Sequence, residues 1–195
     1  AGGSALEWVA RLLRLPVTEA LARAKRADAE PQRLVFLPHL AGERAPYWNP
    51  DARGVFLGLT TATDADHMAL ATLEGVAHAV RMLLDGCERA GGLSAERIRV
   101  AGGGARSTLW NQVKSDITGR SVDVLADLDA GVLGATLMGM VAAELGPDVP
   151  SLAEERVSIA MTVEPRPERR QRADELYVAY AETYRALEPV FPRLT

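Results

Sequence analysis

The sequence predicts an α/β layered fold. Short apolar runs rich in β-branched residues alternate with amphipathic helical patterns after residue 54, and glycines mark the ends of the helical patterns. The composition agrees, because 48% of the 195 residues are hydrophobic and 25% are charged, as in ordinary globular domains. A chain of this length can form one large domain or one lobe of a two-lobed protein.

The first third of the chain predicts two helical pieces followed by two strands. Residues 4–28 carry apolar side chains at helical spacing, and Pro16 is expected to break this helix in two. Strands are predicted at 33–37 and 54–59. A loop rich in Gly, Pro and Asn, residues 38–53, connects them.

A long helix follows, capped by Thr63 or Asp64 and ended by Gly91-Gly92. Cys87 lies on its apolar stripe and is expected to be a small buried hydrophobe. The elements predicted after it are a strand at 97–100, a helix at 107–118, a strand at 121–125, a helix at 130–145 capped by Asp129, a Pro-rich connector at 147–166 and a final helix at 167–187. A stripe of small residues along the 130–145 helix predicts that another backbone packs closely against it.

Composition excludes several classes of function. No apolar run approaches the roughly 20 residues needed to span a bilayer, and the first residues do not resemble a signal peptide. A single cysteine rules out an intramolecular disulfide and favours the cytoplasm. The net charge of −4 argues against nucleic-acid binding. The three histidines lie on unrelated elements, so no metal site is predicted.

The triple glycine Gly102-Gly103-Gly104 follows the strand at 97–100 and re-enters a helix through Ser107. Bare glycine backbone beside helix N–H groups suits a nucleotide or another phosphate-bearing ligand. The pattern lacks the last glycine of the dinucleotide fingerprint, and no Walker Gly-Lys-Ser/Thr occurs. A tight strand-to-helix turn with no ligand explains the same residues equally well.

A longer pattern is more specific. The segment Gly54-Val-Phe-Leu-Gly-Leu59 is followed after seven residues by His67-Met-Ala-Leu-Ala-Thr-Leu-Glu74. Together they resemble the C-terminal signature of the FGGY carbohydrate kinases. The preceding loop opens with Gly42-Glu-Arg44, which is similar to xylulokinases and gluconate kinases, and continues with Ala45-Pro-Tyr-Trp48, which is also similar to glycerol kinases. Within the family, the glycine cluster with Ser107 and Trp110 most resembles the xylulokinase version of the adenosine motif.

The resemblance implies an actin- and hexokinase-like ATPase fold, related to ribonuclease H. Residues 1–195 would then form the C-terminal lobe, incomplete at its N-terminal side. In this family two lobes close over ATP–Mg²⁺ and a sugar, and an Asp deprotonates the sugar hydroxyl. That Asp, most of the Mg²⁺ site and the sugar contacts are expected upstream of this chain, which therefore has no catalytic residue and is expected to be inactive alone. Family members are commonly dimers, so a homodimer is possible.

The resemblance also implies cofactor-binding residues. Gly102, Gly103 and Gly104 would let adenosine lie against the backbone. Ser107, where glycerol kinases have Asn, would lie near the adenine edge. Gly3 and Glu7 resemble the segment that reaches ATP from the other side, with Glu7 in place of Gln.

The implied function is phosphorylation of a ketopentose by ATP, with D-xylulose converted to D-xylulose 5-phosphate as the leading reaction. Gluconate, ribulose and glycerol remain alternative substrates within the family. A non-catalytic nucleotide-binding or scaffold module that keeps the fold is an alternative of a different class. ATP and ADP are the expected small-molecule partners.

Overall fold

The long central helix α3 (Ala65–Gly91) organises the domain, which a computed structural model describes over residues 2–195. The other helices are α1 (Gly2–Leu12), α2 (Val17–Ala27), α4 (Thr108–Thr118), α5 (Ala130–Ala142), α6 (Val149–Arg156) and α7 (Arg170–Leu187). The strands are β1 (Val35–Leu37), β2 (Val55–Leu57), β3 (Arg97–Val100), β4 (Ser121–Leu125) and β5 (Ile159–Val163). No helix within residues 2–195 has the length and apolar character needed to cross a membrane.

Helix α3 begins and ends as predicted. The Asp64 carboxylate accepts hydrogen bonds from the backbone N–H groups of Asp66 and His67, and the His67 ring completes a capping box. Gly92 ends the helix in the left-handed conformation, with φ of 62°. Between these ends α3 buries an apolar face against α1, α2 and α4, and this contact forms the main core. The interruption of the first predicted helix before Pro16 is also confirmed.

Two small sheets flank the helices. Strands β1 and β2 form an antiparallel pair with Phe36 opposite Phe56. Strands β3 and β4 run parallel, with Ile98 opposite Val122, and β5 is antiparallel to β4 with Val163 opposite Val122. The β3–α4–β4 crossover therefore directs both parallel strands toward one sheet edge, where the triple glycine follows β3.

The region predicted as a connector at 147–166 is more structured than expected. It contains α6, with the Asp148 carboxylate as its N-cap, and then β5. The pairing of β5 with β4 makes the second half of this segment regular, and such a non-local contact leaves little trace in a short apolar run. The final helix α7 begins at Arg170, after a short 3₁₀ turn at Pro167–Arg169.

Two local expectations were wrong. The Asp129 side chain makes no capping hydrogen bond to α5, because the backbone there is not extended, and the Asp129 N–H itself donates to the Asp127 carboxylate. Cys87 is exposed, because it lies in the wall of an open groove. The close packing expected along the small-residue stripe of α5 stays a prediction, since no group within residues 2–195 lies within 4 Å of a Cβ built on Gly131 or Gly139.

Candidate functional site

A groove of about 580 Å³ opens where the start of α1 faces the glycine turn that follows β3. Its volume is in the range of small-molecule sites. Most of its wall is apolar and comes from the second half of α3, from β3 and from α4. The lining includes Gly3, Val80, Leu84, Val100, Gly104 and Trp110.

The glycine turn itself is fixed by its backbone. Gly102 has φ of 80°, a conformation that favours glycine, and its N–H donates to the Leu128 carbonyl at 2.7 Å. A 3₁₀ turn over Gly103–Arg106 then leads into α4. A Cβ on Gly104 would lie 3.1 Å from the Trp110 ring, whereas a Cβ on Gly103 would meet nothing within 4 Å. Gly104 is therefore needed for packing, whereas a side chain on Gly103 would meet open space.

Hydrogen bonds connect helix α4 to this turn. Ser107 is the N-cap, and its hydroxyl accepts a hydrogen bond from the Trp110 N–H at 3.2 Å. The buried Asn111 amide donates to the Ala105 carbonyl at 2.7 Å. The Trp110 indole N–H donates to the Leu73 carbonyl of α3 at 3.3 Å, and the ring is only 3% exposed. Trp110 thus anchors the turn to the core of the domain.

The opposite wall comes from the first turn of α1. Gly3 lines the groove, and no atom of the described residues lies within 4 Å of a Cβ built on it. Glu7 is exposed one helical turn further along the same face of α1, but it does not line the groove. Gly3 and Gly104 are thus brought together across one space, while Gly102, Gly103 and Ser107 lie at the turn beside it.

Lys114 is a groove residue that the sequence did not single out. Its ammonium lies 5.0 Å from the centroid of the Trp110 ring and donates to the Asn111 side-chain oxygen at 3.3 Å. Burial without a carboxylate partner lowers the pKa of Lys114 to about 8. Only its position four residues after Trp110 on α4 could have indicated that it lies on this side of the helix.

The electrostatics of the groove favour an anionic ligand. Among residues 2–195 its charged lining side chains are Arg99 and Lys114, both cations. The same residues contain no group of three His, Cys, Asp or Glu side chains arranged to hold a metal ion. The groove can therefore bind an apolar ring and attract a negative charge, but among residues 2–195 it has no carboxylate in its lining to hold a metal ion.

Solved structures share this arrangement of elements. The ligand-bound xylulose kinase from Lactobacillus acidophilus superposes with a TM-score of 0.87 at 25% identity, and the match covers 99% of this chain and 39% of that one. The fold is therefore that of the actin- and hexokinase-like ATPases, in the form found in sugar kinases.

The family follows from the sequence comparison. The model of the FGGY family of carbohydrate kinases, C-terminal domain, matches residues 1–143, and the chain belongs to that family.

Relatives within the family act on different substrates, as their names state. The chain is 42% identical to the xylulose kinase of Escherichia coli K12, over 72% of this chain and 29% of the relative. It is 35% identical to a glycerol kinase of Streptococcus uberis over 78% of this chain and 31% of the relative. It is 38% identical to the gluconokinase of Bacillus subtilis, over 71% of this chain and 27% of the relative. The chain thus spans less than a third of the length of these relatives.

Proposed function

We propose that this chain is the nucleotide-binding part of an ATP-dependent sugar kinase. The observation that carries the proposal is the groove lined by both Gly3 and Gly104, whose described lining residues include two cations and no carboxylate. Membership of the carbohydrate kinase family supports it, because a kinase must hold a nucleotide while the phosphoryl group is transferred.

Each predicted site residue has a place in this proposal. Gly103 has no side chain on the open face of the turn, so adenosine can lie against the backbone there. The Ser107 hydroxyl accepts from the Trp110 N–H, which leaves its own proton to donate to the adenine edge. Gly3 and Glu7 would contact the nucleotide from α1.

Magnesium and the chemical step are assigned to the rest of the longer protein. Within residues 2–195 the groove offers no carboxylate as a Mg²⁺ ligand or general base, so these residues do not fit a metal site. The contribution of this chain is to hold the adenosine end of ATP, which fixes the position of the γ-phosphate and reduces the entropic cost of transfer.

For the intact protein, the proposed reaction is phosphorylation of D-xylulose to D-xylulose 5-phosphate. The Gly42-Glu43-Arg44 opening and the 42% identity to a xylulose kinase support this substrate. The similarity to glycerol and gluconate kinases keeps glycerol and gluconate, and also ribulose, as alternatives. A cytoplasmic location and a homodimer belong to the same proposal.

A nucleotide titration of the Gly103→Val variant tests the site. The added side chain meets no protein atom at its Cβ, so the fold should tolerate it while the ligand is excluded. We expect ADP and ATP binding by isothermal titration calorimetry to weaken roughly tenfold or more, the loss typical of bulk placed in a ligand pocket. Gly86→Val is the matched control, because a Cβ on Gly86 of α3 also meets nothing within 4 Å.

Equal affinity of the Gly103→Val variant and the control would contradict the site. A coupled assay on the longer protein, with xylulose, ribulose, gluconate and glycerol compared, tests the substrate. A wild-type chain that binds no nucleotide, together with a longer protein that phosphorylates none of these substrates, would favour the scaffold module.

A further inference from the structure

Arg166 forms ion pairs with carboxylates at the C-terminal ends of α2 and α4. Its guanidinium donates to both oxygens of the Asp28 carboxylate, at 2.8 and 3.0 Å, and through Nε and Nη2 to Asp116 at 2.9 and 2.6 Å. The backbone N–H of Arg166 adds a further bond to Asp116 at 2.8 Å. Asp28 is the C-cap of α2, and Asp116 lies in the last turn of α4.

Both carboxylates are well protected from solvent. Their side chains are 16% exposed for Asp28 and 6% for Asp116, whereas that of Arg166 is 28% exposed. Removing the cation from a carboxylate buried to this degree destabilises the folded state, because the negative charge is left without a partner. The two-sided fork of a guanidinium also fixes the angle between its partners, which a lysine ammonium would not do.

Helix α4 connects the Arg166 ion pairs at its C-terminal end to the glycine turn at its N-terminal end. The helix has eleven residues and is therefore about 16 Å long, with Asp116 near one end and the Ser107 cap at the other. The Asn111 bond to the Ala105 carbonyl couples the turn to the helix, so a change in the tilt of α4 would move the turn with it.

We propose that Arg166 is a positioning residue for the nucleotide turn, holding α4 in the orientation that places Gly102–Ser107 against the groove. This inference rests on the nucleotide-binding function proposed above. Arg166 lies outside the part matched by the family model, which ends at residue 143. The segment after α5 would thus shape a site that it does not touch.

A neighbouring arginine provides the matched control. Arg172 pairs with the buried Glu74 carboxylate of α3 and donates to the Gln32 carbonyl. It has no hydrogen bond or ion pair to α4 within residues 2–195. Arg172→Gln therefore removes a similar buried pair in the same region without releasing α4.

The experiment compares wild type, Arg166→Gln, Arg166→Lys and Arg172→Gln. The measurements are ADP affinity, melting temperature and hydrogen exchange of the 102–107 amides without ligand. We expect Arg166→Gln to weaken ADP binding roughly tenfold and to speed exchange in the turn, with Arg166→Lys in between. Arg172→Gln should lower the melting temperature but leave ADP affinity within about twofold.

Equal losses of affinity in Arg166→Gln and Arg172→Gln, with unchanged exchange in the turn, would overturn the proposal and leave Arg166 a stabilising residue only. If Arg166→Gln does not fold, Asp116→Ala removes the acceptors of the same link and is read in the same way. A wild-type chain that binds no ADP refutes the proposed function, and the exchange measurement then still decides whether Arg166 positions the turn.

Discussion

Lys114 is the residue whose charge state depends most directly on the groove. Its pKa of about 8 lies below the ordinary lysine value of 10.5, because burial penalises the ammonium. In the unfolded chain the amine binds its proton up to about pH 10.4. Between pH 8 and 10 the unfolded state therefore holds more protons than the folded state, and stability attributable to Lys114 rises with pH.

The first prediction concerns Lys114→Met, which shortens the unbranched side chain by one heavy atom and removes the charge. At pH 7 we expect the free energy of unfolding to increase by about 1–2 kcal/mol, because the penalty for a buried ammonium is gone. The gain should shrink as the pH rises from 8 to 10. Urea denaturation of wild type and variant across this pH range measures the difference in their free energies of unfolding. Titrating groups that the two proteins share contribute equally to both and cancel in this difference. A gain that is independent of pH would contradict the assignment.

The sequence drew attention to the glycines of the candidate site and gave no signal for two of its polar groups. Gly102–Gly104 stand out as a triple glycine between a predicted strand and a predicted helix, a pattern that fits a ligand-binding turn and an unliganded tight turn equally well. Gly3 is indicated only by the family resemblance. Asn111 and Lys114 gave no such signal, since a polar residue on a predicted helix is expected to face solvent. Their roles depend on which side of α4 faces α3 and the turn, and that orientation is set by tertiary packing.

At the scale of elements, the backbones of α3 and β1 approach each other closely at Gly75. A Cβ on Gly75 would lie 2.2 Å from the Phe36 carbonyl oxygen, so only glycine allows the helix to pack against this strand. The same helix contains Gly86, where a Cβ would meet nothing within 4 Å. The same helix therefore has one glycine position that excludes a side chain and another that has space for one.

The second prediction uses this contrast. Gly75→Ala should lower the free energy of unfolding by about 2–4 kcal/mol, because the strand and helix must move apart. Gly86→Ala should raise it by about 0.5–1 kcal/mol through helix propensity alone. Chemical denaturation of both variants measures the two effects. Similar values for the two substitutions would show that the α3–β1 contact is looser than the structure indicates.

Elements were predictable where local patterns agree with tertiary contacts. Helix α3 combines a cap, an apolar stripe and a terminal glycine, so its limits could be predicted to within a residue or two. Helix α6 and strand β5 could not, because an eight-residue helix and a five-residue strand between prolines carry weak signals of their own. The regularity of β5 depends on its pairing with β4, which lies more than 30 residues earlier.

For the whole molecule, the C-terminal segment is part of the same domain as the matched region. Leu176, Tyr180 and Tyr184 of α7 are buried in a cluster with Val35 and Leu37 of β1. The domain therefore continues beyond residue 143, where the family model ends. Truncation at that point would expose the face of β1 that α7 covers.

Helix α5, unlike α7, is not buried against the rest of residues 2–195. Of its thirteen residues only Leu137 is buried, and Val132 and Met138 are 62% and 65% exposed. The segment contains no charged residue, and a helix that is apolar on all sides is normally covered. Because the chain spans less than a third of its relatives' length, we expect the remainder of the longer protein to cover α5.

The third prediction follows from this exposed helix. The isolated chain should bind an apolar dye and associate as its concentration rises, and the double variant Val132→Lys/Met138→Lys should reduce dye fluorescence by about half. Leu93→Lys is the control, since Leu93 is 75% exposed but lies outside α5. In the longer protein the same double variant should instead lower the melting temperature, because two charges would be buried at the covered face. A longer protein as tolerant of the double variant as of Leu93→Lys would show that α5 stays open to solvent, and its apolar surface would then need another explanation.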